Sequence, residues 1–81
     1  MNKGRLYEEL IPIEQLSYKG YNTPELANAR IRQILDEVKN EMPPFIEKWV
    51  NTEYENPDWK ANCELRRNVI VVQLQSHLFE W

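Results

Sequence analysis

Cysteine, histidine and glycine are nearly absent from this chain: one Cys63, one His77 and two glycines in 81 residues. A lone cysteine closes no internal disulfide, which fits a reducing compartment and leads us to expect a cytosolic protein. A structural zinc site takes three or four Cys, His or carboxylate ligands, and Cys and His supply only two here. On one helix, Cys63 and His77 would stand about 21 Å apart at 1.5 Å per residue, too far for a thiolate–imidazole pair. With two glycines and no G-x-x-x-x-G-K pattern, no loop cradles a phosphate. Long apolar runs are missing as well. The longest is Val69 to Val72, far below the roughly 18 residues of a membrane span. The N-terminus has no apolar stretch of the leader-peptide type.

Basic charge is also scarce. Ten Lys and Arg face 13 Asp and Glu, a net charge of -3. The excess is concentrated: from Asp36 to Asp58, seven acids (Asp36, Glu37, Glu41, Glu47, Glu53, Glu55, Asp58) stand against Lys39 and Lys48, a net of -5. A solvated helix face accounts for such a run. So does an acidic surface that docks on a basic cleft, because complementary potentials speed encounter. Acidity opposes the phosphate attraction that drives nucleic-acid binding. Only the doublets Arg30/Arg32 and Arg66/Arg67 keep a small nucleic-acid-binding regulator among the alternatives.

What the chain does have is helical periodicity. Hydrophobic residues make up 42% and aromatics 11%, enough for one small core. Thr23-Pro24-Glu25 combines an N-cap, a first-turn proline and an acid at the dipole's positive end. Ala27, Ile31, Ile34, Leu35, Val38 and Met42 then form one stripe, with Asn28, Arg32, Asp36, Lys39 and Asn40 on the wet side. Pro43-Pro44 ends that helix and opens the next, which buries Phe45, Ile46, Trp49 and Val50. Asn56-Pro57-Asp58 repeats the start signal. Near the N-terminus, Leu6, Leu10 and Ile13 sit at helical spacing; Pro12 interrupts it, so the expectation is a short helix ending near Leu10 and a second turn from Pro12, with an extended strand over 10–16 as the alternative.

The segment from Pro57 to Trp81 contains no further Gly or Pro and reads as one rod with two apolar sides. Trp59, Cys63, Ile70, Leu74, Leu78 and Trp81 share one stripe. Leu65, Val69, Val72 and Phe79 lie roughly half a turn away, with Ala61 beside them. A surface helix needs only one stripe, and so short a chain has little with which to cover both. The expected fold is therefore a single all-α domain, a small bundle of three to four helices at about 5–10, 23–42, 44–54 and 57–80. The β-branched run at 69–72 leaves open an α+β alternative with a strand at 69–75.

No catalytic constellation emerges. Glu37 and Glu41 stand at i,i+4, like half of a Mg²⁺ site in helical nucleotide hydrolases, but no second acid pair exists on another helix. The expectation is a non-catalytic protein-binding module without cofactor, metal, membrane contact or small-molecule substrate. The candidate partner-binding residues are the acids Glu37, Glu41, Glu47, Glu53 and Glu55 with the aromatics Trp49, Tyr54, Trp59, Phe79 and Trp81, since Trp and Tyr anchor many interfaces. The partner is another protein, such as a basic nucleic-acid enzyme, or a second copy of the chain paired through 57–81 as a homodimeric assembly module.

The segment Met42-Pro43-Pro44-Phe45-Ile46-Glu47-Lys48-Trp49-Val50 resembles the V-P-x-F-V-x-x-W-I stretch of small accessory proteins in phages of Gram-positive bacteria. It covers nine residues, with Met42 and the extra Pro44 as departures. This resemblance implies a phage protein in a host cytosol, where compact acidic chains block host enzymes or defence systems. It implies no role for any single residue.

Overall fold

A computed structural model describes residues 2–14, 22–41 and 44–80 of the chain. They form five helices: α1 (Lys3–Glu14), α2 (Pro24–Glu41), α3 (Pro44–Tyr54), α4 (Pro57–Lys60) and α5 (Glu64–Glu80). The fold is an all-α bundle. Residues 69–75 lie inside α5, so the alternative strand is absent. A strand there would have needed a partner, and the Leu10–Ile13 stretch that might have supplied one is itself helical.

The capping signals act as their chemistry dictates. Thr23 Oγ1 accepts from the Leu26 amide (3.3 Å) at the head of α2, and Asn56 Oδ1 accepts from the Asp58 amide (2.9 Å) at the head of α4. Asn2 does the same for α1 through the Arg5 amide (3.0 Å). Two boundaries differ from expectation. First, α1 runs through Pro12 to Glu14. Continuing the helix extends the Leu6/Leu10 stripe to Ile13, which is fully buried. That burial outweighs the single helical hydrogen bond a proline cannot donate.

Second, the expected rod at 57–80 is two helices. The Asn62 amide donates to the Trp59 carbonyl (3.1 Å) and the Cys63 amide to the Asp58 carbonyl (3.0 Å). Asn62 has φ of 59°. Together these make a Schellman stop, with asparagine in the left-handed position usually held by glycine. Its side chain is anchored too, because Asn28 Nδ2 donates to Asn62 Oδ1 (2.9 Å). The expected wet-side Asn28 is therefore buried. Helix α5 restarts at once, with the Arg67 amide bonded to the Cys63 carbonyl (3.0 Å).

One core joins all five helices, with Leu10, Ile31, Leu35, Ile46, Trp59 and Leu74 among its members. Met42 and Trp81, expected on buried stripes, lie outside the described residues. Helix α1 packs chiefly on α5, and α2 on α3. The first pair is antiparallel: Gln75 Nε2 donates to the Tyr7 carbonyl (3.3 Å), and Lys3 and Gly4 adjoin Leu78 and Phe79. The Cα extents are 30 × 27 × 16 Å. At interaxial spacings of about 8–10 Å, a 16 Å slab holds two helix layers. Helix α5 therefore lies in an outer layer, with one side to the core and the other to solvent.

One core member breaks the rule that charges stay outside. Arg67 is 1% exposed, and its Nε and Nη1 have no hydrogen-bond partner among the described residues. Each unmet donor costs about 1–3 kcal/mol. We expect Arg67→Met, which keeps the length and removes the polar atoms, to raise stability by about 1–2 kcal/mol. Urea unfolding measures it; an unchanged or lowered midpoint contradicts it.

Candidate partner-binding surface

The acidic and aromatic residues divide sharply in space. Glu53, expected at the surface, is 3% exposed. Arg66 grips its carboxylate with two donors, Nε to Oε2 at 2.8 Å and Nη2 to Oε1. The i+13 separation carries α3 onto the start of α5, so this pair holds the bundle together rather than facing a partner. Trp59 is 4% exposed and belongs to the core. Both residues leave the candidate set for that reason.

Trp49 and Tyr54 are half-buried and already engaged. Trp49 Nε1 donates to Gln73 Oε1 (2.9 Å), and its ring meets His77 edge-on, with centroids 4.9 Å apart. The Tyr54 hydroxyl donates to Asp36 Oδ1 beside the Arg32 carbonyl, while the Arg32 guanidinium sits 4.3 Å above the ring. Burial, and then the Asp36 carboxylate, push the Tyr54 phenol well above its usual value; Arg32 opposes them. The unfolded chain loses this proton near pH 10 while the folded chain retains it. Stability contributed by Tyr54 is thus complete below about pH 10 and declines as pH rises beyond it. Thermal melts across alkaline pH should show a shallower decline for Tyr54→Phe than for wild type. Parallel declines would contradict this.

Glu37, Glu41, Glu47 and Glu55 are exposed. Glu47 and Glu55 border one shallow groove with Lys48, and Glu55 pairs with Lys60 at 3.3 Å. A second open cleft of about 530 Å³ is bordered by Glu25, Arg32, Tyr54, Glu55 and Lys60. It mixes both charges, and the Tyr54 hydroxyl on its wall is tied to Asp36. Among the described residues, no three His, Cys, Asp or Glu side chains converge as a metal site. Nor is any described helix long and apolar enough to cross a membrane.

The arginines are also committed. Arg30 makes a bidentate contact with Glu9 (2.7 and 2.9 Å), Arg66 holds Glu53, and Arg67 is enclosed. The doublets therefore form no continuous basic strip for phosphates.

The most exposed apolar surface lies on the outer side of α5. Ile70, Val71, Leu74 and Leu78 fill the core, whereas Leu65 is 75% exposed, Val72 57% and Phe79 84%, with Val69 beside them. The second stripe expected from periodicity is thus the solvent-facing one. It widens onto α1, where Tyr7 and Ile11 are also exposed and Tyr7 shares a small cavity with Phe79. Among the expected site residues, only Phe79 is known to lie here, since Trp81 falls outside the described residues. Leu65, Val69 and Val72 were visible as a stripe, and Tyr7 and Ile11 carry an i,i+4 signal one step from the buried Leu6 and Leu10. No protein-family model, curated protein or solved structure matches this chain.

Proposed function

We propose that this chain is a non-catalytic protein-binding module that works through the outer face of α5 and the adjoining edge of α1. The observation behind this reading is the exposure of Leu65, Val72 and Phe79 along one line of a helix whose opposite side is fully buried. Contiguous apolar surface of this kind, rimmed by polar residues, marks contact sites on soluble proteins. The burial of Glu53 against Arg66 takes one acid out of the competing acidic surface.

In-cell photo-cross-linking tests the proposal. A benzophenone side chain at position 79 or 72 should give discrete protein adducts, and the same probe at Asn51 on α3 should not. Equal yields at all positions, or none, would overturn it.

A second reading keeps the acidic surface as the contact, with a basic host enzyme as partner in line with the 42–50 resemblance. Its support is the exposed pair Glu47 and Glu55 beside one groove. Binding on that surface would weaken with salt and be lost in Glu47→Lys. Salt-insensitive binding that survives the substitution discards it.

A further inference from the structure

We infer that the occupant of the α5 face is a second copy of this chain, joined as an antiparallel two-fold pair. The inference rests on the proposed binding role of that face and names its partner. Three features carry it.

The first is spacing. Leu65, Val69, Val72, Ser76 and Phe79 follow one another at steps of four, three, four and three, and all are exposed. Every stripe on one helix face recurs at such steps; this one holds a seven-residue repeat across two heptads, the pattern by which helices pack side by side as coiled coils.

The second is charge. From Asn68 to Phe79 the sequence contains no Asp, Glu, Lys or Arg, and the residues beside the seam are Asn68, Gln73 and Gln75. A two-fold interface sets each patch against itself, so a charged face would oppose its own copy. The α5 part of this face is electrically silent along its length, and Lys3 of α1 adjoins it at the Phe79 end. Formal charge enters only at the ends of α5, with Glu64 and Arg66 at its start and Glu80 at its finish. Antiparallel pairing brings Glu80 of one copy to the Glu64/Arg66 end of the other, where Arg66 already holds Glu53, and opposes the helix dipoles. Parallel pairing would instead bring the two Glu80 carboxylates together.

The third is extent. Tyr7, Ile11, Leu65, Val69, Val72 and Phe79 together expose roughly 600–700 Å², taking side chains of their size at about 150–250 Å² each. With the neutral rim this approaches the ~800 Å² per partner of a standard specific interface. The seam is also centred. Val72 lies seven residues from both Leu65 and Phe79, so a two-fold axis at Val72 seats each Phe79 against the other copy's Leu65.

Cysteine cross-linking of the full chain in a Cys63→Ser background tests the geometry. Val72→Cys should oxidise readily to a covalent dimer, because the axis brings the two positions together. Leu65→Cys alone should not, since its two copies would stand about 21 Å apart. A mixture of Leu65→Cys and Phe79→Cys chains should give the mixed dimer. Thermal unfolding of the wild type should shift upward with protein concentration. Val72→Glu, judged folded by circular dichroism, should weaken association roughly a hundredfold by setting two carboxylates at the axis. Self-linking of Leu65→Cys as readily as of Val72→Cys would overturn the antiparallel arrangement. Failure of all variants to link, with a concentration-independent melt, would overturn self-pairing itself. A photo-adduct at position 79 with a different protein would then leave the broader binding role standing.

Discussion

Arg66→Ala should cost this protein about 3 kcal/mol. The substitution removes both donors from Glu53, a residue 3% exposed, and leaves an uncompensated charge inside the bundle. Breaking a buried pair from one side costs about 3–5 kcal/mol, far more than a surface pair is worth. Arg66 is about a quarter exposed, so water can enter the gap it leaves, which favours the lower end. An 81-residue domain has a total stability of only about 4–12 kcal/mol. The loss should therefore lower the melting temperature by more than about 10 °C. Replacing both residues by methionine should recover most of that loss, because no charge is then stranded. An Arg66→Ala melt within a few degrees of wild type would contradict the buried-pair account.

Trp59→Ala should be as damaging or worse, at about 3–5 kcal/mol. Trp59 is the sole core residue of α4, the single turn bridging α3 and α5, and truncating it opens a void where these elements meet. Phe79→Ala should stay within about 0.5 kcal/mol of wild type when the chain is dilute. Both are large aromatics in the same stretch of sequence. Chemical denaturation of the two variants side by side separates core from contact surface. Comparable losses would mean that Phe79 is enclosed or Trp59 is not.

Much of the scaffold was legible because its punctuation is local. Thr23 and Asn56 each satisfy an orphan amide within one turn, Pro24, Pro44 and Pro57 bring none to the first helical position, and the four-three recurrence of Ala27, Ile31 and Ile34 requires no knowledge of the rest of the chain. The break at Asn62 was missed because asparagine is only a secondary occupant of the left-handed position. What favours it here is its bond to Asn28, 34 residues away. The extension of α1 past Pro12 was missed for a related reason, since it depends on a core that buries Ile13.

The candidate site was less legible than the fold. Periodicity reports which side of a helix is apolar, and correctly found two sides on α5. It does not report which polar residues a distant partner will bury. Glu53 looks like any surface acid until Arg66 arrives from another helix, and Arg67 looks like any solvated base until α5 is laid against the core. The acidic run from Asp36 to Asp58 is a surface at every acid but Glu53. Tyr7 and Ile11 were underweighted, because their meeting with Phe79 exists only once α1 lies antiparallel on α5.

Sedimentation equilibrium of the wild-type chain and Val72→Glu is the most direct measurement of the whole account. The wild type should move from the 9.8 kDa chain mass toward twice that value as concentration rises, and the variant should remain at the chain mass. A wild type that stays monomeric throughout, or a variant that pairs as tightly as the wild type, would contradict the claim that the outer side of α5 joins two copies.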